Sequence, residues 1–271
     1  MNTANHYHQP DLLESILSKL KELGLDQKPI TRQHLAAMDE FHLQGSAVSE
    51  ELAGRLDLTS DSTVLDVGCG IGGPCRMLAD DFGCTVTGID YTEEYVRAAR
   101  ALTQIVRLTD KVEFQQANAL QLPFEDETFG VVWTQHAQMN IADKAKFYSE
   151  IQRVLQPGGK FVYYDIFGTN EGEVYYPVPW AEVPENSHLI IHESVAGYFP
   201  DEYYQLEYSK DHTPNATDFL SGVLEKIRSG EAPQLGLNLL MRESTGKKLG
   251  NLLRCLREGK VEVYAGVYLK K

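Results

Sequence analysis

Apolar positions along this chain change their spacing twice, and the changes divide it into three stretches. From Asp11 to Leu23, leucines and isoleucine recur at helical intervals, with Gly24 as the stop. Further helices are predicted over 31–39 and from Ser46 to Leu56. From residue 63 onward, short apolar runs alternate with helical patterns. The strands are predicted at 63–67, 84–89, 112–116, 128–133 and 160–166, and the helices at 74–82, 92–106 and 143–155. That alternation predicts a mostly parallel sheet wound with helices on both faces. The turn Gln156-Pro-Gly-Gly159 closes the last of these helices. After Phe167 the pattern breaks into a Gly-, Pro- and aromatic-rich loop over 168–186, long enough to suggest a functional role. A short strand near 204–208, helices near 215–229 and 244–258, and a strand over 261–269 follow. Residues 170–250 therefore read as structure laid over the carboxyl ends of the strands, where open α/β sheets bind ligands.

Composition narrows the partners. A chain of 271 residues can bury the core of one large α/β domain with an appended cap. The formal net charge is −14 and no Lys/Arg cluster stands out, which argues against nucleic acid or an anionic membrane as partner. A small neutral or cationic substrate fits that balance. No signal peptide and no apolar run of membrane-spanning length are recognisable. Cys69, Cys75, Cys84 and Cys255 lack metal-ligand spacing and read as reduced, packed thiols. The expectation is a cytoplasmic protein without a metal; nothing in the sequence argues for an oligomer.

The chemistry concentrates at Val64-Leu-Asp-Val-Gly-Cys-Gly-Ile-Gly-Gly73. A buried strand runs into a turn whose glycines (Gly68, Gly70, Gly72, Gly73) let a ligand lie against the backbone. Pro74 stands where a helix begins. Asp90 ends the next strand, 20 residues beyond Gly70, a placement suited to accepting hydrogen bonds from ribose hydroxyls. Asp66 sits two residues before the glycines. A carboxylate there opposes a pyrophosphate but suits a ligand bearing an ammonium and a sulfonium, so the corner favours S-adenosylmethionine over a nicotinamide dinucleotide. The plainer alternative is a glycine turn serving helix–strand packing alone, with Asp90 as a helix cap.

These motifs, followed by Ala117-Asn-Ala-Leu-Gln-Leu-Pro-Phe124, Phe129-Gly-Val-Val-Trp133 and Leu155-Gln-Pro-Gly-Gly-Lys-Phe161, resemble the class I S-adenosylmethionine-dependent methyltransferases over about residues 60–167. Outside that core, Trp133-Thr-Gln-His-Ala-Gln-Met-Asn140, Tyr164-Asp-Ile-Phe167 and Tyr176-Pro-Val-Pro-Trp180 resemble the sarcosine/dimethylglycine N-methyltransferase group. The resemblance implies a Rossmann-like, doubly wound, mostly parallel seven-stranded sheet. It also implies an N-terminal helical lid (1–58), a cofactor-binding core (59–167), and a cap with strands that complete the sheet (168–271). It puts the methionine part of S-adenosylmethionine at Asp66, Gly68 and Gly70, and the ribose at Asp90. The adenine falls near Asn118, Ala119 and Leu120, and the donor end beside Gln135. Tyr91 either lies over the adenine or caps the following helix. Asn118 either serves the adenine through its amide or fixes its own turn.

A sulfonium methyl is already activated, so alignment and exclusion of water matter most, and a base is needed only for a protonated nucleophile. His136 has three readings: orienting a ligand, packing in the core, or acting as general base. Gln135 and Gln138 offer fixed dipoles toward the same crevice. Asn140 stands where some related phosphobase methyltransferases carry a catalytic histidine, and an amide cannot relay a proton. Tyr175, Tyr176 and Trp180 either form a cage for a methylated ammonium or pack on the sheet. Tyr7, His8 and Phe41-His-Leu-Gln44 are candidates for a lid over the cofactor. His188–Phe199 departs from the longer, more regular helix that relatives carry there. The resulting expectation is methyl transfer to the amine nitrogen of a sarcosine- or dimethylglycine-like small molecule. Transfer to oxygen or carbon is the alternative. An NAD-dependent oxidoreductase and a non-catalytic S-adenosylmethionine-binding protein are the remaining readings.

Overall fold

The computed structural model describes residues 7–236, 238–241 and 244–271. Its centre is a seven-stranded sheet in the order β3-β2-β1-β4-β5-β7-β6. The strands are β1 (Thr63–Val67), β2 (Thr85–Asp90), β3 (Val112–Gln116), β4 (Phe129–Gln135), β5 (Leu155–Gly168), β6 (Tyr204–Asp211) and β7 (Val261–Lys270). β1 to β5 pair in parallel, while β7 runs antiparallel between β5 and β6. The Rossmann-like doubly wound expectation holds. β1 is buried along Val64–Val67 because helices cover both of its faces, which is why it lacks the alternation of a half-exposed strand. Strand order reverses between β1 and β4, and the crevice at that reversal is where such sheets take ligands.

The helices are α1 (Leu12–Glu22), α2 (Arg32–Asp39), α3 (Ser46–Ala53), α4 (Gly73–Phe82), α5 (Glu93–Ile105), α6 (Lys144–Val154), α7 (Thr213–Ser229), the short α8 (Asn238–Met241) and α9 (Thr245–Arg257). One apolar cluster joins α3, α4, α7 and α9 to one face of the sheet, and a second joins α6 and Phe199 to the other. In a third, Leu12, Ile16 and Leu20 of α1 meet Tyr95, Ala98 and Leu102 of α5. The amphipathic first helix is thus a packing element. The reach toward the cavity comes from Tyr7 and from residues 39–43.

Besides β6, which runs on to Asp211, and the short α8, which the sequence did not indicate, two elements near the site differ from the sequence-based reading. β4 extends two residues past its expected end, to Gln135, which pairs with Tyr164. A buried glutamine is tolerated there because its amide is bonded to Ser49 and to the Trp133 indole. The turn 156–159 is a bulge within β5, since Leu155 already pairs with Phe129 before the ladder resumes at Lys160. The irregular 188–199 segment is a 3-10 helix over His192–Tyr198.

A buried ion pair fastens the N-terminal helices to the core. Arg76 of α4 meets Asp39 of α2 at 2.7 Å, with side-chain exposures of 0% and 2%. The guanidinium also bonds the Thr103 hydroxyl at 3.1 Å. Beside this pair, α2 lies so close to α4 that a Cβ on Gly73 would stand 2.0 Å from the Asp39 carbonyl oxygen.

Candidate active site

A cavity of about 380 Å³ opens at the carboxyl ends of β1, β2 and β4. Its floor is the turn after β1. Gly68 and Cys69 donate their backbone N–H groups to the Ile89 carbonyl at 2.9 Å, tying the turn to β2. Gly70 has a φ of +55°, and a Cβ there would meet nothing within 4 Å, so its open side is ligand space. The Gly70 N–H donates to the Asp90 carboxylate at 3.0 Å, and the Thr92 N–H does so at 2.8 Å. The Thr92 hydroxyl and the Tyr91 N–H also face this carboxylate, which lies on the cavity wall where hydroxyl donors of a ligand would meet it. Burial pushes the Asp90 pKa up, against the pull of those backbone N–H groups.

Asp66 lies 2% exposed beneath the turn and accepts from the Cys75 thiol at 3.1 Å. Desolvation by burial lifts its pKa from 3.8 to about 7. With Asp90 beside it, this corner offers negative charge to a cation and none of the positive charge that would welcome a pyrophosphate. The residues present fit an ammonium-, sulfonium- and ribose-bearing ligand.

The far rim carries Tyr91, Asn118, Ala119 and Leu120. Tyr91 is 49% exposed, leaving its ring surface open to solvent at the cavity edge. The Asn118 Oδ1 accepts from the Leu120 N–H at 2.9 Å, so the turn-fixing reading of this amide is realised while the residue still lines the cavity.

Gln135, His136 and Asn140 form the opposite wall. The Gln135 Oε1 accepts from the Trp133 Nε1–H at 2.9 Å, and its Nε2 donates to Ser49 at 3.2 Å, which fixes the amide rigidly. Ser49 in turn lies 3.2 Å from Glu40, whose carboxylate is 2.6 Å from the His42 Nε2. Although burial opposes it, these bonds hold Glu40 below the usual carboxylate range. His136 has a left-handed φ of +48°. Its ring stacks on Tyr164 with centroids 5.1 Å apart. Its Nε2 is buried and has no hydrogen-bond partner among the described residues. Burial, and then nearby His42, hold its pKa well below the ordinary value, so the ring is neutral at physiological pH.

Asn140 links three parts of the chain. Its Oδ1 accepts from the Tyr7 hydroxyl at 2.9 Å and its Nδ2 donates to the Trp180 carbonyl at 2.8 Å. Two expected substrate-facing residues do not line the cavity. Gln138 is turned beneath the wall by the short 3-10 turn Gln138–Asn140, and its amide donates to the Ile166 carbonyl at 3.1 Å. Tyr176 packs against the core cluster instead. Tyr175 is drawn outward as well, with its hydroxyl on Glu258 at 2.6 Å and Arg254 over its ring at 3.7 Å. Only Trp180 of the three aromatics reaches the cavity, so no three-ring cage forms.

The sequence reading missed the wall built by Phe219, Leu220 and Val223 of α7 with Leu249 and Leu252 of α9. The i, i+4 and i, i+3 spacings were visible, but ordinary core helices share them.

Fold and site together define a class I S-adenosylmethionine-binding α/β domain. Residues 65–163 match the family model described as a methyltransferase domain. This stretch is similar to that methyltransferase domain, and S-adenosylmethionine is the cofactor that the pocket fits. The chain is 34% identical over 131 residues to the methyltransferase GfsG of Streptomyces halstedii, covering 48% of this chain and 47% of that protein. It is 31% identical over 143 residues to the glycine/sarcosine/dimethylglycine N-methyltransferase of Actinopolyspora halophila, covering 53% of this chain and 24% of that one. The chain therefore spans at most about half the length of these relatives. A geranyl diphosphate methyltransferase solved with its S-adenosylmethionine superposes with a TM-score of 0.67 at 20% identity. That likeness covers 84% of this chain and 86% of the other, and establishes the fold alone. Matched relatives include N-, O- and C-methyltransferases. No helix among the described residues is long and apolar enough to cross a membrane.

Proposed function

We propose that this protein transfers a methyl group from S-adenosylmethionine to a nucleophilic atom of a small molecule. The observation that carries the reading is the pairing of an acid-rich glycine corner with a separate lobe under the cap, in one continuous cavity. In this reading Asp90 receives the ribose hydroxyls, and Asp66 with Gly68 and Gly70 receives the methionine end. Asn118, Ala119, Leu120 and Tyr91 flank the adenine. The bound cofactor supplies an electrophilic methyl on a sulfonium. Gln135, fixed by Ser49 and Trp133, gives the donor end a rigid wall, while Tyr7, Asn140 and Trp180 close the chamber against water. The labour follows the chain: residues 1–58 cover, 59–167 hold the cofactor and 168–271 shape the acceptor lobe.

An amine nitrogen is the acceptor that the sarcosine/dimethylglycine resemblance supports, and a free amine attacks unaided. A hydroxyl acceptor would also need a base, and His136 lines the cavity as a neutral ring whose burial makes it a weak one. The test is S-adenosylhomocysteine release from S-adenosylmethionine with sarcosine, dimethylglycine, a phenol and a neutral isoprenoid, each against a no-acceptor control. Release above the control with any of them supports methyl transfer. Tight S-adenosylhomocysteine binding with no release across a broad acceptor panel would favour a non-catalytic binder.

A further inference from the structure

Resting on that reading, we propose that the acceptor is an uncharged, largely apolar molecule whose hydrocarbon body lies in the lobe between α7, α9 and Trp180. The lobe is a built surface. Phe219, Leu220 and Val223 present one side of α7, and Leu249 and Leu252 one side of α9, all lining the cavity. Phe219 and Val223 remain only partly buried, although they face the interior cluster. Side chains of this kind, left uncovered inside a fold, leave apolar surface for a ligand to cover. Trp180 adds to the wall, and its indole N–H is already given to the Ser187 hydroxyl at 2.8 Å. With that bond made, the indole keeps no polar hydrogen for the lobe, and the ring, 2% exposed, acts as its wall.

The charges point the same way. No Lys or Arg side chain lines the cavity among the described residues, and the carboxylates that do (Asp39, Asp66, Asp90) all stand on the cofactor side. Neighbouring cations are committed elsewhere. Arg76 is held by Asp39, and Lys248 of α9 pairs with Glu182 at 2.6 Å. Lys144 donates to the Gln138 and His188 carbonyls at 2.7 Å and also to that of Ile141. Among the described residues, a carboxylate or phosphate on the acceptor would therefore meet no cationic partner in this lobe, which is strongly unfavourable. A dimethylglycine-like zwitterion is thus a poor occupant, whereas a neutral ring or isoprenoid chain matches the wall.

The test is equilibrium binding of 1-aminoanthracene, a neutral probe that brightens in apolar cavities, to the full chain with and without saturating S-adenosylhomocysteine. We expect saturable binding, displacement by geraniol and no displacement by dimethylglycine. Phe219→Ala and the lobe-filling Val223→Phe should each weaken probe binding about tenfold or more, while S-adenosylhomocysteine affinity stays within about twofold. Retained cofactor affinity shows that the variants are folded. Absence of saturable probe binding, or displacement by dimethylglycine but not by geraniol, would overturn the inference while leaving the cofactor reading intact. Probe binding in a protein that does not take S-adenosylhomocysteine would instead overturn the proposed function and uphold the apolar lobe.

Discussion

Replacing Asp66 by Asn should remove a pH dependence from cofactor binding and at the same time stabilise the empty protein. The carboxyl is 2% exposed and burial lifts its pKa from 3.8 to about 7. A raised carboxyl pKa in the folded state means that the empty protein holds this proton more tightly than the unfolded chain does. Stability is therefore lost as pH rises from about 4 to about 7. Once the group is fully ionised the loss is up to about 4 kcal/mol, from about three pH units at 1.36 kcal/mol each. An ammonium placed beside Asp66 favours the ionised form, so binding expels the proton. The affinity for S-adenosylhomocysteine, whose amino group stays protonated over the range, should then fall up to about tenfold per pH unit below pH 7. Titration calorimetry between pH 5.5 and 8.5 measures this directly. Asp66→Asn should bind weakly with a flatter profile, and its ligand-free melting temperature at pH 8 should exceed that of the parent. Asp90, whose pKa is also raised, contributes any residual slope. A slope in Asp66→Asn equal to that of the parent would refute the assignment of the ammonium to Asp66.

Two further outcomes follow from the same geometry. Asp90→Ala removes the carboxylate proposed to receive the two ribose hydroxyls, and at about 1.5 kcal/mol for each charged hydrogen bond should weaken S-adenosylhomocysteine binding on the order of 100-fold. The circular dichroism spectrum should be unchanged, and unaltered affinity would remove the ribose from Asp90. Arg76→Ala strands Asp39 in the interior and should cost about 3–5 kcal/mol in urea unfolding, whereas Arg76→Met with Asp39→Leu should recover most of it. A single-variant cost under about 1 kcal/mol would show that the pair does not hold α2 to α4.

What could be read from the sequence depended on whether the backbone or the tertiary contacts decide a residue's job. The glycine turn was legible because a strand, positive-φ positions and a helix start must succeed one another within a few residues, and the Gly70–Asp90 hydrogen bond of 3.0 Å now ties that turn to the end of β2. The five parallel strands were legible for the same reason. The 3-10 turn at Gln138 was not, and it carries that side chain under the wall while leaving Asn140 on it. Nor could the chain reveal that Tyr175 is captured by Glu258 and Arg254, since the aromatic run reads alike whether its rings face a ligand or solvent. His136 shows the middle case: its position after β4 placed it at the cavity, but only the stacked Tyr164 and the absence of a partner for Nε2 among the described residues reveal a neutral, unspent imidazole.

The two halves of the cavity also answer to different physical demands. The cofactor half must present charge and backbone at fixed points, so it draws on a few polar residues at strand ends, where a short motif carries the information. The acceptor half needs apolar area, and area is supplied by helix faces whose periodicity is that of any buried helix. Substitutions in α7 and α9 can therefore change lobe shape while leaving Asp66, Gly70 and Asp90 untouched. In the proposed reading, this separation accounts for matched relatives that are N-, O- and C-methyltransferases. It follows from the proposal that exchanging the Phe219, Val223 and Leu252 side chains should alter which neutral molecules bind, with cofactor affinity unmoved.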